Sequence, residues 1–203
     1  YKKQMSVSDS FPAHIHVGSK TSNNRMPTAI NKSVLITGGL GAIGIKTATW
    51  LTTCHQFHIH LLGRSGRSKS ADSEVVIASG SYIAVHRADT SSSEDCHGTR
   101  DFLRGRRVQK SGPSASIEMY DVIDEGMGTV LHASGILRDA MIVSQQIAGI
   151  REVKAAKMSS AFQLTKMICA SAIDNLIMFS SVAALLGSAG QSTYSGANNA
   201  LDY

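Results

Sequence analysis

Ser33-Val34-Leu35-Ile36-Thr37 runs directly into Gly38-Gly39-Leu40-Gly41-Ala42-Ile43-Gly44, and few folds accommodate that junction. The first five residues have the length and apolar character of a buried strand. Glycines then turn the chain, and Ile45, Ala48, Thr49 and Leu51 follow at spacings that carry one helix face toward a sheet. A buried strand turning at once into a helix is the opening unit of a parallel α/β sheet. The same glycines let the backbone approach a pyrophosphate held at the positive end of the helix. A glycine-rich match alone is weak, but a strand before it and a helix after it are the context it requires. A purely structural glycine turn remains the other reading at this point.

The next apolar segment, Phe57 to Leu62, predicts a second strand. An NAD site places Asp or Glu about 20 residues past the glycines, on the ribose hydroxyls. Here the strand ends in Gly63-Arg64-Ser65-Gly66-Arg67. A carboxylate would repel a 2′-phosphate, whereas a guanidinium pairs with it bidentately, so NADPH is favoured over NADH. Arg64 is the first candidate and Arg67 the second; a solvated loop arginine is the alternative.

Tyr82 to Val85 predicts a third strand and Gly128 to Ala133 a fourth, continuing into Ser134-Gly135. Between them Asp89 follows a strand end, where an Asp commonly caps a helix. Ser91-Ser92-Ser93-Glu94 can also cap one, although the helical pattern beyond is poor. Arg104-Gly105-Arg106-Arg107 with Lys110 is the strongest basic cluster. It lacks the interleaved aromatics that stack on bases, which points away from nucleic acid. Apolar residues at Val153, Met158, Ala161, Leu164, Met167 and Ile168 predict a helix over about 150–172.

The most informative stretch is the last. Leu176-Ile177-Met178-Phe179 reads as a buried strand, and the chain breaks at Ser180-Ser181. It then crosses a small-residue loop with Gly187 and Gly190 and re-enters a helix near Tyr194. A strand end thus presents the Ser181 hydroxyl. A helix presents the Tyr194 phenol, with Asn198 one turn further along the same face. Open α/β sheets bind ligands beyond the carboxyl ends of their strands, where these groups would gather.

The pattern FSSxAxxxGxxGQxxYxxxN resembles the ketoreductase domains of polyketide synthases and animal-type fatty acid synthases, relatives of the short-chain dehydrogenase/reductases. The resemblance runs from about Ser33 to Tyr203, with a weak middle between Gly66 and Gly126. It implies a Rossmann-like, doubly wound parallel sheet and reduction of a β-ketoacyl thioester by NADPH. The cofactor would meet Thr37, Gly38, Gly39, Leu40, Gly41, Ile43 and Gly44, then Arg64 and Ser65 at the 2′-phosphate. Asp89 would meet the adenine edge, a role compatible with capping. His132, Ala133, Ser134 and Gly135 would border the cofactor, His132 as a packing residue rather than a catalyst.

The resemblance also assigns the chemistry. Tyr194 is the proton donor, Ser181 the group that holds the substrate oxygen, and Asn198 an anchor for the lysine or a relay water. Lys157 stands 37 residues before Tyr194, as the family's lysine does, and supplies an ammonium that helps the phenol act near neutrality. The family's Lys-x-x-Gly reads Lys-x-x-Ser here, with Ser160 in the last place. Most short-chain dehydrogenases carry their lysine where Asn198 stands, and the exchange with Lys157 is typical of the synthase ketoreductases. Asp139 matches an aspartate characteristic of members making the 3R alcohol, although Arg138 replaces the first Asp of their Leu-Asp-Asp triplet. A tryptophan marking the opposite product would fall at Leu186.

Residues 1–31 are polar, irregular and interrupted by Pro12 and Pro27, and read as a linker or the tail of a preceding unit. Residues 32–203 read as the NADPH-binding ketoreductase domain, incomplete at its carboxyl end, since Tyr203 precedes the last strands and the substrate lid expected of the fold. With 203 residues the chain holds one core. A net charge of +5 suits a phosphorylated cofactor or an acidic carrier protein. The expected partners are a carrier-bound β-ketoacyl substrate and neighbouring synthase domains. Cys54, Cys96 and Cys169 match no metal spacing, and the histidine pairs His14/His16 and His58/His60 lack a third ligand nearby, so no metal is expected. The absence of a long apolar run or a signal core points to an intracellular, cytoplasmic protein without a membrane span. Two alternatives stay open: a stand-alone short-chain dehydrogenase acting on a small ketone or alcohol, and a non-catalytic nucleotide-binding domain of a synthase.

Overall fold

Strand β1 (Ser33–Thr37) is buried along its whole length. Successive side chains on a strand face opposite sides, so β1 must be covered on both. Val34 and Ile36 join one apolar cluster with Ile45 and Ala48 of helix α1 (Ala42–Cys54). Leu35 joins another, with Leu164 and Met167 of helix α4 (Ser160–Cys169). The computed structural model describes residues 33–54, 57–66, 82–103, 127–169 and 173–203. The stretch 1–31, Arg67 and the basic cluster of Arg104, Arg106, Arg107 and Lys110 lie outside them.

Beside β1 lie β2 (His58–Gly63), β3 (Tyr82–Arg87), β4 (Met127–His132) and β5 (Asn175–Met178) in one sheet of order β3-β2-β1-β4-β5. Every pairing is parallel. The expected Rossmann-like α/β fold is the one observed. The chain winds outward from β1 to β3 and then returns to place β4 on the other side of β1. That reversal opens a crevice at the carboxyl ends of β1 and β4, where such sheets bind ligands. His60 and His86 meet across β2 and β3, Nδ1 to Nε2 at 2.9 Å, two imidazoles buried in an otherwise apolar layer.

Local structure departs from the sequence reading in four places. Strand β5, expected to be buried, lies at the edge of the described sheet and is mostly exposed, Ile177 by 50%. On α1 it is Thr52, not Thr49, that is fully buried, its hydroxyl donating to the Thr49 carbonyl at 2.7 Å. Helix α2 (Ser93–Leu103) forms despite its weak apolar pattern because its entry is capped. Ser92 Oγ accepts from the Asp95 amide at 3.3 Å, and the Asp95 carboxylate accepts from the Asp89 amide, upstream of the cap, at 2.7 Å. A side-chain N-cap is worth about 1 kcal/mol.

The expected helix over 150–172 is divided. Helix α3 (Ile147–Lys154) leads into a π-helical turn (Ala155–Ser159), and α4 resumes at Ser160. Both the Ser160 amide and its hydroxyl, the latter at 3.0 Å, donate to the Ala155 carbonyl, stabilising the wider turn. Helices α5 (Val182–Leu186) and α6 (Ser192–Asp202) follow β5, packing on each other, and α6 also packs on the π turn. Among the described residues no helix is long and apolar enough to cross a membrane.

Candidate active site

The turn after β1 has room for backbone and little else. Gly38 has φ +64°, and a Cβ there would lie 2.7 Å from Ser134 Cα. A Cβ on Gly44 would lie 2.5 Å from Gly39 Cα, so α1 presses directly on the turn. Glycine is therefore required at both positions by geometry. The result is a bare concave backbone between β1 and β4 at the amino end of a helix with no acidic residue in its first turn. Ile43 is 54% exposed there, an apolar side chain on the rim. Shape and charge fit a dinucleotide pyrophosphate.

At the end of β2, Arg64 and Ser65 are exposed on a turn closed by the Gly66 amide on the Gly63 carbonyl at 3.2 Å. No acidic side chain occupies that turn. Asp89, beyond β3, accepts from the Ser91 amide at 2.9 Å and its hydroxyl at 2.7 Å. Its carboxylate thus closes a turn ahead of α2, and the helix cap is Ser92 rather than Asp89.

A buried polar chain crosses from β1 to the π turn. Ser134 Oγ donates to Thr37 Oγ1 at 3.1 Å, and Thr37 Oγ1 lies 2.7 Å from His132 Nδ1. His132 Nε2 lies 3.1 Å from the Lys157 carbonyl. A carbonyl only accepts, so Nε2 carries the proton, Nδ1 accepts from Thr37, and the chain has one direction. Burial pushes the imidazole down to about 4; the bond to the Lys157 carbonyl opposes this, and the lysine charge adds to it. His132 is thus a neutral strut. It and Thr37 are 0% exposed, so they shape the crevice through the strand ends that they lock together. Ala133 and Ser134 are half-buried and Gly135 is exposed on its wall.

The π turn aims Lys157 inward. The residue is only 4% exposed, and its Nζ donates to the Phe179 carbonyl at 2.6 Å, just beyond β5. Burial holds its pKa below the ordinary lysine value. Gly135 makes room for the side chain: a Cβ there would meet Lys157 Cε at 3.2 Å. Ser160, in the place where the resemblance expected glycine, also accepts from Thr90 Oγ1 at 2.9 Å and so ties the π turn to the segment before α2.

Ser181 is the N-cap of α5, its Oγ accepting from the Ala183 amide at 3.2 Å. That leaves its proton available for a donor role. Tyr194 is half-buried in the first turn of α6. Asn198, 0% exposed, donates to the Tyr194 carbonyl at 2.8 Å, and no described donor reaches its Oδ1. Asp139 is exposed and accepts from Gln191 Nε2 at 2.9 Å. A cleft of about 240 Å³ opens beside it, lined by Arg138, Asp139, Gln145, Ile150 and Thr193. Leu186 is exposed on the far end of α5.

Lys157 is joined to the Phe179 carbonyl, at the start of the loop that carries Ser181, and α6, which carries Tyr194 and Asn198, packs against the π turn. Sequence reasoning missed the Phe179 carbonyl, Gln145 and the π turn itself, and it quoted Gln191 in its pattern without giving it a role. A run of two glutamines after the Asp139 segment was the available signal for Gln145; nothing in sequence marks a carbonyl.

Comparison with known proteins bears on the family and the fold. A family model described as "KR domain" matches residues 32–203. Polyketide synthase GfsB of Streptomyces halstedii is 29% identical over 177 residues, 85% of this chain but 3% of that protein. A 6-methylsalicylic acid synthase of Arthrobotrys oligospora is 29% identical over 181 residues, 87% of this chain and 10% of that protein. A ketoreductase domain from the bacillaene assembly line has a similar structure, with TM-score 0.68 and 23% identity, covering 90% of this chain and 40% of that one. The chain thus spans a small part of these much longer synthases. With a bare glycine turn between β1 and β4 and a family match over residues 32–203, the chain belongs to the KR domain family, the polyketide-synthase ketoreductases of the short-chain dehydrogenase/reductase superfamily.

Proposed function

We propose that residues 32–203 form an NADPH-binding domain that reduces a carrier-bound β-ketoacyl thioester to the 3R β-hydroxyacyl thioester, within an intracellular synthase. The observation that carries this is Lys157. A lysine ammonium is expensive to bury, yet here a π turn, a glycine and a carbonyl are all arranged to hold one at the crevice rim. A purely structural or scaffolding domain has no need of it.

Each residue then has a defined task. The Gly38–Gly44 turn and the amino end of α1 hold the pyrophosphate, and Arg64 with Ser65 holds the 2′-phosphate. Bound NADPH supplies the hydride that adds to the carbonyl carbon. Tyr194 gives its phenolic proton to the same carbonyl's oxygen as the C=O π bond breaks. Ser181 donates a hydrogen bond to that oxygen and orients it. Lys157 places positive charge where negative charge develops. Asn198 Oδ1 is the acceptor that a relay returning a proton to the phenol requires.

Mixing the protein with NADPH and an acetoacetyl thioester should oxidise the cofactor and yield mainly the 3R alcohol, as Asp139 and the lack of tryptophan at 186 imply. Chiral separation giving mainly the 3S alcohol would overturn the stereochemical assignment, and no oxidation at all would overturn the reaction. Arg64→Ala should weaken NADPH binding by about 10- to 100-fold, the worth of a charge-assisted contact, while NADH binding stays within about twofold. Fluorescence titration with both nucleotides reads this directly. An equal loss for the two would show that the guanidinium does not meet a 2′-phosphate.

A further inference from the structure

The first turn of α6, which carries Tyr194, is fastened from outside its own helix. Its N-cap residue Gln191 makes no side-chain capping bond. Gln191 instead reaches out to Asp139 at 2.9 Å. Gln145, half-buried after the 3-10 turn Ile142–Ser144, supplies what is missing. Its Nε2 donates to Ser192 Oγ at 2.7 Å and, more weakly, to the Ala140 carbonyl at 3.4 Å, while its Oε1 accepts from Thr193 Oγ1 at 2.6 Å. The Ala140 amide completes the seam on the Gly190 carbonyl at 2.8 Å. The segment holding Asp139 and the segment leading into Tyr194 are thus stitched together by one amide side chain and its neighbours. Gln145 and Thr193 also line the cleft beside Asp139. Arg138, paired with Glu152 of α3 at 2.6 Å, anchors the same strap to the molecule.

We propose that Gln145 is a positioning residue that sets Tyr194 relative to Asp139, and so decides which face of the ketone is reduced. The inference rests on the ketoreductase reading above. Two short hydrogen bonds at adjacent residues fix both the rotation and the height of the helix start, and the phenol follows in the next position. Gln145 contacts neither the reacting atoms nor the glycine turn, so its loss should disturb turnover and product handedness without disturbing cofactor affinity.

The test compares Gln145→Leu, which removes every polar contact at similar volume, with Gln145→Glu, whose carboxylate still accepts from Thr193 and can accept from the Ser192 hydroxyl once that rotates to donate. Gln145→Leu should lower kcat about 10- to 100-fold, as misplacement of about an ångström does, and erode the enantiomer ratio at least about tenfold. The Kd for NADPH should stay within about twofold. Gln145→Glu should retain most of the wild-type rate and ratio. Amide hydrogen exchange over 192–198, measured on the same proteins, should quicken in Gln145→Leu and not in Gln145→Glu. Unchanged exchange in Gln145→Leu overturns the clamp whatever the enzyme does. Quickened exchange with unchanged rate and ratio overturns its link to Tyr194 while leaving the ketoreductase reading intact. A wild-type protein that oxidises no NADPH with the thioester overturns that reading, and with it the positioning role.

Discussion

Tyr194→Phe is expected to lower turnover about 10²- to 10⁴-fold, the contribution of one positioned proton donor, while the protein stays folded and binds NADPH as before. The substitution removes a single oxygen. No described residue hydrogen-bonds that oxygen, and the backbone carbonyl of residue 194, which accepts from Asn198, is untouched. Neither α6 nor its packing on α5 should change. What is lost is the proton that must reach the carbonyl oxygen when hydride adds to carbon. Ser181 remains as a hydrogen-bond donor, so some stabilisation of the oxygen persists and the variant should keep a residual rate. Single-turnover oxidation of NADPH isolates this step from product release, and a fluorescence titration reads binding on the same sample. Turnover within about threefold of wild type would remove Tyr194 from the chemistry and send the search for the proton donor elsewhere on the rim.

How much of this was legible in the sequence depends on how local the cause is. The glycine turn was readable because steric exclusion acts over a few residues: the clash of a Cβ on Gly44 with Gly39 is set within one turn of chain. The sheet was readable because strands buried on both faces, like β1, give short unbroken apolar runs. The resemblance supplied Lys157 by its distance from Tyr194, but not how a lysine is kept in a buried slot. That depends on the Phe179 carbonyl, on Gly135 making room, and on Ser160 bonding both to Thr90 and back to Ala155, contacts that link distant parts of the chain. Helical periodicity cannot reveal an inserted π-helical residue, because one extra residue in about 20 barely moves the apolar spacing. The start of α2, by contrast, was legible through its cap, since the serine run that includes Ser92 offered one where no apolar stripe did.

Lys157→Met should cost about 10²- to 10³-fold in turnover, and its pH behaviour identifies the reason. A preorganised donor aimed at the charge that develops on the carbonyl oxygen is worth about 10²- to 10³-fold, so removing the ammonium forfeits up to that factor. Methionine has nearly the same length and keeps the π turn filled, at the expense of an unpaired Phe179 carbonyl. Because burial lowers the lysine's folded pKa below its ordinary 10.5, the wild-type rate should fall as pH rises through that lowered value, when the ammonium is lost. In Lys157→Met the alkaline fall due to this group should disappear. Stability supplies an independent reading of the same charge. Between the lowered folded value and 10.5 the unfolded chain binds more protons at this residue than the native one does, so its contribution to stability rises with pH across that window and is flat below it. Urea unfolding of wild type and Lys157→Met from neutral to alkaline pH should therefore differ by a term that grows in favour of wild type as pH climbs. If the two proteins show the same pH dependence in both rate and unfolding, the amine is not buried at the crevice in solution, and the proton-transfer scheme loses its cation.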